Sequence, residues 1–248
     1  MYHQNADQLA RQAAQYDLMS NYYKYIDPNK HMYYYQKHFE CMQQLMNQRQ
    51  NNLGMDGNSR VRVLHASPDA PAVDVYVNGQ QVLQGISYKQ YSDYLSMPAG
   101  HYQIDIFPEG ESSAPVLSQM VEVASGKMYT AAAAGPVEEL QLMAAVDSEG
   151  VSPGKAKLKF WHLSPDAPAV DIAVKGGDVL FRNVPFGKST RYVTISPTTA
   201  DLEVRVAGSS NVALDIPDVS LNPNQSYTAV AVGLAGGDPP LEAIYLKP

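Results

Sequence analysis

The chain has 248 residues, 45% of them apolar, with 18 basic against 25 acidic side chains, a net charge of −7 and one cysteine. That is room for one or two domains with real cores, which excludes disorder of the whole chain. No Lys/Arg cluster marks a phosphate-binding surface, so nucleic acid is excluded as a partner, and Cys41 has no second cysteine in the chain to pair with.

Residues 1–50 differ in kind from the rest. They hold eight of the seventeen tyrosines, are rich in Gln, Asn and Met, and contain a single proline. Met1 to Asp7 carry neither a basic segment nor an apolar run, and no stretch reaches the eighteen or so apolar residues of a membrane span. The expectation is synthesis in a cytoplasm without a secretory signal. Asp27-Pro28 supplies an N-cap and N1 pair, and Met32, Tyr35, Phe39, Met42 and Met46 then follow at 3, 4, 3, 4 spacing, one stripe of a helix. An earlier helix from about Asn5 to Tyr25 carries Leu9, Ala13, Tyr16 and Tyr23 on a comparable stripe. The pattern predicts a helical hairpin turning at Ile26-Asp27-Pro28. Two amphipathic helices bury little area by themselves, so the stripe on the second helix is the candidate surface for tethering or assembly.

Residues 51–59 are almost all turn formers and read as a linker. From Arg60 the period changes to two. Val61 to His65, Val73 to Val77, Tyr102 to Phe107 and Val116 to Val123 alternate or run apolar between breaks at Pro68, Pro71, Asn78-Gly79, Pro98 to Gly100 and Pro108 to Gly110. Asn78-Gly79 predicts a type I′ hairpin turn, which needs positive φ at both central residues. Lys127 to Ala134 and Leu140 to Val146 close the series. Seven or eight short strands over 60–147 predict an antiparallel β-sandwich. Residues 148–155 read as a second linker, and residues 156–248 repeat the same order of strands, with Trp161 expected in the second sandwich core.

The repetition is explicit. His65-Ala-Ser-Pro-Asp-Ala-Pro-Ala-Val-Asp74-Val-Tyr-Val-Asn-Gly79 returns 97 residues later as His162-Leu-Ser-Pro-Asp-Ala-Pro-Ala-Val-Asp171-Ile-Ala-Val-Lys-Gly176. Val82-Leu83 echoes Val179-Leu180 and, shifted by one residue, Tyr94 echoes Tyr192, Tyr129-Thr130 echoes Tyr227-Thr228, and Gly135 echoes Gly233. Two copies of this length are two domains and not a solenoid.

This motif resembles the opening of the family catalogued as domain of unknown function 4397. The resemblance covers both copies but not the N-terminal helices. It implies two tandem immunoglobulin-like antiparallel β-sandwiches, preceded here by the helical hairpin. It also implies a non-enzymatic role of the kind found at bacterial cell envelopes, and it brings no catalytic residues and no cofactor.

Within the motif, Pro68 and Pro71, like Pro165 and Pro168, fix φ and remove donors. Asp69 and Asp166 suit an Asx-type turn, so the segment reads as a stiff corner between strands. The sharper alternative is a site built from His65, Asp69 and Asp74, repeated as His162, Asp166 and Asp171, which could ligate a divalent cation or pair a base with an orienting group. The spacing fits none of the established metal motifs, and the structural reading is favoured. Ser67 and Ser164 lack the setting of a nucleophile elbow, and Gly233 to Gly237 is a turn and not a phosphate loop.

Tyr88, Tyr91, Tyr94 and Tyr102 could form an aromatic platform for sugar rings, which makes carbohydrate binding the second functional reading. The first is a structural or adhesive module that associates with itself, or with envelope or coat proteins, through its helices. The Tyr-, Gln- and Met-rich leader adds an analogy to spore-coat components.

Overall fold

The start of the second helix and the first hairpin turn each have a local cause. In the computed structural model, which describes residues 6–52 and 58–248, α1 (Ala6–Tyr23) and α2 (Pro28–Asn52) form an antiparallel hairpin. Asp27 caps α2 by accepting the N–H groups of Asn29 and Lys30, both at 3.1 Å, while Pro28 takes the first helical position, where a missing donor costs nothing. On α1, Leu9, Ala13 and Ser20 are buried.

The face of α2 that meets α1 is not its most apolar stripe. His31 Nδ1 donates to the Ser20 carbonyl and His38 Nδ1 to that of Ala13, each at 2.9 Å, and the Tyr34 ring stacks on Tyr16 and Tyr23. Cys41 completes this face as a buried free thiol. Met32, Tyr35 and Phe39 lie one residue around the helix and are 55, 54 and 54% exposed. Met42 is half-buried, and the Met46 side chain lies outside the described residues, as do linker residues 53–57.

The first sandwich consists of β1 (Asn58–Ala66), β2 (Val73–Val77), β3 (Gln80–Ile86), β4 (Leu95–Pro98), β5 (Gly100–Pro108), β6 (Leu117–Val123), β7 (Met128–Ala134) and β8 (Gln141–Asp147). Its sheets have the orders β4-β1-β7-β8 and β3-β2-β5-β6. The second sandwich repeats them strand for strand with β9 (Ala156–His162), β10 (Val170–Val174), β11 (Val179–Val184), β12 (Val193–Ile195), β13 (Thr198–Val206), β14 (Val212–Leu221), β15 (Ser226–Val232) and β16 (Glu242–Leu246), ordered β12-β9-β15-β16 and β11-β10-β13-β14. At the β2–β3 turn Asn78 and Gly79 have φ of 50° and 78°, the double positive φ that a type I′ turn requires.

One pairing in each sandwich is parallel, β1 with β7 and β9 with β15, whereas the alternating pattern had predicted antiparallel sheets throughout. The first strand of each repeat lies beside its seventh, and a chain that crosses over between sheets before returning can arrive parallel. These parallel strands are central, and the penultimate ones, Met128–Ala134 and Ser226–Val232, read as apolar runs with little alternation because both of their faces are covered.

Residues 59–248 form one compact unit, and residues 1–58 another. Within the larger unit the sandwiches share a third layer of core. Leu64, Ala66, Ala132, Ala134 and Ala145 of the first pack against Trp161, Leu163, Val230, Val232 and Leu246 of the second. Trp161 is therefore not in the core of its own sandwich. On β9 the side chains of Ala156, Leu158 and Phe160 point inward, and strand alternation turns Trp161 outward into the joint, where its indole N–H donates to the Gly187 carbonyl at 3.3 Å.

The same alternation sends charged side chains into the joint. Arg62 and Lys159 hold equivalent positions on β1 and β9, and each reaches the end of the other sandwich's last strand: Arg62 Nη1 donates to the Lys247 carbonyl just past β16 and Lys159 Nζ to the Val146 carbonyl in β8, both at 2.6 Å. Each cation lies over an equivalent tyrosine ring, Arg62 at 4.7 Å from Tyr94 and Lys159 at 5.0 Å from Tyr192. Asp147 breaks this reciprocity. Its carboxylate sits 3.0 Å from Lys159 Nζ and 3.5 Å from Arg62 Nη2 and accepts from the hydroxyls of Tyr94 and Thr130, while position 248, its counterpart, is proline.

Candidate functional site

The repeated motif follows one plan in both copies, and its histidine and aspartate side chains bond nearby backbone. His65 Nε2 donates to the Pro71 carbonyl at 2.9 Å and His162 Nε2 to that of Pro168 at 3.1 Å, so each imidazole closes the Ser-Pro-Asp-Ala-Pro corner it precedes. An aromatic edge covers each ring, from Tyr88 over His65 and Phe186 over His162.

Asp69 and Asp166 clamp the corner to the loop after the seventh strand. Asp69 accepts from Val137 N at 2.9 Å, and Asp166 accepts from Ala235 N at 2.7 Å and Gly236 N at 3.0 Å. Ser67 Oγ adds a bond to the Gly135 carbonyl at 2.6 Å. That loop returns so tightly that a Cβ at Gly135 would stand 2.9 Å from the Glu139 carbonyl oxygen, and one at Gly233 2.2 Å from that of Pro240. With φ of 100° and 87° as well, both positions require glycine.

Asp74 and Asp171 face away from these histidines' partners and hold different turns. Asp74 accepts from Gly85 N at 2.8 Å and Gly110 N at 3.2 Å; Asp171 accepts from Asn183 N at 2.6 Å and Gly208 N at 3.0 Å. The carboxylates bridge a β-bulge region on the neighbouring strand to the loop beyond the fifth strand of each repeat. The histidine and aspartates of each copy thus serve three separate sets of backbone groups, and among the described residues no group of three or more His, Cys, Asp or Glu is placed to hold a metal ion.

Burial drives the His65 and His162 imidazoles below the ordinary value of 6.5, only partly opposed by their bonds to the Pro71 and Pro168 carbonyls. The Asp171 carboxyl is held below 3.8 by the N–H groups of Asn183 and Gly208. Burial pushes the Asp166 carboxyl upward, but its bonds from Ala235, Gly236 and Ser164 outweigh that and leave it below 3.8. The signs fix two windows. A buried neutral histidine favours the folded state above pH 6.5 and gives up that advantage as pH falls below it, because the unfolded chain then binds the proton that the folded chain refuses. The loss is at most about 1.4 kcal/mol per pH unit for each histidine. The aspartate contribution is present above pH 3.8 and is lost below it. Urea midpoints measured at pH 7.5 and 5.0 should fall with acidification in the natural chain and fall less in His162→Gln.

Of Tyr88, Tyr91, Tyr94 and Tyr102, most are held by contacts within the protein. Tyr88 packs against the inter-sandwich core, and burial with the nearby Glu242 charge raises its hydroxyl to about 12. Tyr94 bonds Asp147 at 2.7 Å, and Tyr102 donates to the Pro98 carbonyl at 2.8 Å. Tyr91 is half exposed, with the Arg62 guanidinium 5.5 Å from its ring. Three of the four are thus engaged by the protein itself.

Exposed apolar side chains concentrate elsewhere. Of the fourteen large ones among the described residues, eight lie between Leu18 and Phe39. Leu18, Tyr22, Tyr25 and Ile26 line the end of α1 and the turn, and Met32, Tyr35 and Phe39 form the uncovered stripe of α2. No helix among the described residues is long and apolar enough to cross a membrane.

Comparison with known proteins gives one family. Residues 59–173, which cover the first sandwich and most of the second copy of the motif, match the family model described as a domain of unknown function, DUF4397. No curated protein matches the chain. Among solved structures it is similar to one described as a "putative cell adhesion protein" from Bacteroides fragilis, at 11% identity over 76% of this chain and 97% of that one, with a TM-score of 0.19. A superposition that loose carries no weight for fold or function.

Proposed function

We infer that this chain, whose residues 59–173 belong to the DUF4397 family, is a structural, non-enzymatic module that associates through its N-terminal hairpin. The observation that carries the reading is the stripe of Met32, Tyr35 and Phe39, each more than half exposed on a helix whose adjacent face is already satisfied by α1. Each such side chain is worth roughly 1.5–3 kcal/mol when removed from water, and three on one stripe are enough to drive association against part of its ordering cost. The double sandwich contributes a stiff body, since its halves are fused through a shared core and not strung on a free linker. The motif's histidines and aspartates are occupied in holding that body together, which supports a role without catalysis. The family's usual context supports a place at a bacterial cell envelope, and the Tyr-, Gln- and Met-rich leader adds an analogy to matrix and spore-coat components. The partner is a second copy of the chain or another protein of that surface.

The test is the solution mass of the full chain by light scattering, beside the triple variant Met32→Ser, Tyr35→Ser, Phe39→Ser. The natural chain should be an oligomer and the variant a monomer with unchanged circular dichroism. A natural chain that is monomeric, or a variant of unchanged mass, would sink the reading.

A further inference from the structure

The two sandwiches share one topology but not one core. In the second, Leu158, Phe160, Ile172, Val204 and their neighbours fill the space between the sheets. In the first, the fully buried cluster at the same level is Val73, Ile106, Leu117 and Ala133, and beside it lies a cavity of about 350 Å³ with an almost wholly apolar wall.

Strand register shows how the hollow arises. Val61 and Val63 face it from β1, paired with Tyr129 and Ala131; the equivalent positions on β9, paired with Tyr227 and Ala229, carry Leu158 and Phe160. Ala144 faces it from β8, where β16 carries Tyr245. Gln119 stands at its rim on β6, where β14 carries Ile216. Four substitutions, all toward smaller or polar side chains in the first copy, empty one sandwich while the other stays filled. The fold therefore does not impose the hollow. Ala131, on the inner face of β7, is only partly buried as a result, whereas its counterpart Ala229 in the second sandwich is 3% exposed.

We propose that this cavity is a binding site for a small uncharged aliphatic molecule of the long-chain alcohol class. Its volume is more than twice the roughly 150 Å³ of an apolar cavity that takes benzene, and it falls in the range of ligand pockets. Sheets of a sandwich pack about 10 Å apart, so the slot is too thin for a helix, whose diameter with side chains is about 10–12 Å. A peptide strand would leave its backbone N–H and C=O groups unpaired against valine, leucine and methionine. The lining contains no Lys or Arg, and Glu122 stands at the rim, so a fatty acid carboxylate would find repulsion in place of a counter-ion. Met97 and Met120 supply the adaptable walls that an elongated apolar guest needs.

The experiment is a fluorescence titration of the full chain with N-phenyl-1-naphthylamine, followed by displacement with 1-decanol. It is repeated on Val63→Phe and Ala144→Tyr, each of which installs the side chain of the second copy, and on the Met32/Tyr35/Phe39 triple serine variant. Saturable binding that decanol displaces, at least tenfold weaker in both filled variants and retained in the α2 variant, is the expected result. Both filled variants should also melt at higher temperature than the natural chain without ligand. Should Val63→Phe fail to fold by circular dichroism, Ala144→Tyr and the rim change Gln119→Ile carry the comparison. Absence of saturable binding, binding unaffected by filling, or binding lost with the α2 stripe each overturns the proposal, and only the light-scattering result bears on the assembly reading.

Discussion

Replacing Asp147 by Asn should cost about 3–5 kcal/mol of stability, because it leaves the buried Arg62 and Lys159 cations without the carboxylate they share. The Arg62, Lys159 and Asp147 side chains are 2, 1 and 0% exposed. Two positive charges and one negative share a buried joint, so the partners are not equivalent. Lys159→Met would leave Asp147 facing Arg62 with its bonds from Tyr94 and Thr130 intact, and should cost less than Asp147→Asn, which strands both cations at once. Lys157, at the edge of the same network, already shows the strain: burial and then repulsion from Lys159 push its ammonium below the ordinary value. For a unit of this size 1 kcal/mol corresponds to roughly 2–4 °C, so Asp147→Asn should melt on the order of 10 °C lower. Replacing all three charges together, Asp147→Leu with Arg62→Met and Lys159→Met, should restore much of the loss, since apolar groups that fill a buried ion site are often neutral or stabilising. Thermal unfolding followed by circular dichroism decides it. A single Asp147→Asn variant within 1 kcal/mol of the natural chain would show that water reaches the joint and screens the charges.

That network marks the boundary of what the sequence made legible. The duplicated motif, the Asn78-Gly79 turn, the Asp27-Pro28 helix start and the succession of seven or eight short strands all rest on local chemistry, and local chemistry is what a sequence displays. The joint between sandwiches is not local. In Arg60-Val-Arg-Val-Leu64 and Lys157-Leu-Lys-Phe-Trp161 the charged residues alternate with inward apolar ones, which is the pattern of a solvated outer face. What betrays the outer face as buried is the next residue of the same parity, Leu64 in one copy and Trp161 in the other, together with the unbroken apolar runs Ala131 to Ala134 and Ala229 to Val232. Assigning Trp161 to its own sandwich ignored that parity. The apolar stripe of α2 misleads in the opposite sense: it is the most regular heptad-like pattern in the leader, yet α1 takes the adjacent stripe because His31 and His38 there can bond carbonyls of the facing helix. The motif's polar residues could be named from the sequence but not their use, because Asp69 and Asp166 are satisfied by N–H groups on loops about seventy residues further along the chain. The hollow of the first sandwich was visible only by comparison: Val63 looks like an ordinary core residue until Phe160 shows what the same position holds when the space is filled.

Trp161→Ala is the companion test from the apolar side of the joint, and should cost about 3–5 kcal/mol, the usual range for truncating a large buried aromatic. Trp161 is fully buried among Leu64, Ala66, Leu163, Val230 and Leu246, and the alanines opposite it, Ala132, Ala134 and Ala145, have no volume with which to close the gap. Truncation also leaves the Gly187 carbonyl without the indole donor. Its position between two folded bodies makes the consequence more than a lower midpoint. The sandwiches are held in register by this layer and by the reciprocal reach of Arg62 and Lys159, so weakening the layer should let the halves unfold in separate steps. Trp161→Phe, which keeps most of the apolar contact and loses only the donor and part of the volume, should remain a single transition with a smaller loss. Urea unfolding followed by far-ultraviolet circular dichroism distinguishes these outcomes, since the alanine variant should show a broadened or biphasic curve where the natural chain shows one. If Trp161→Ala unfolds in one step with the natural slope, the joint is held by the charge network more than by the tryptophan, and Asp147 becomes the residue on which the union of the two sandwiches depends.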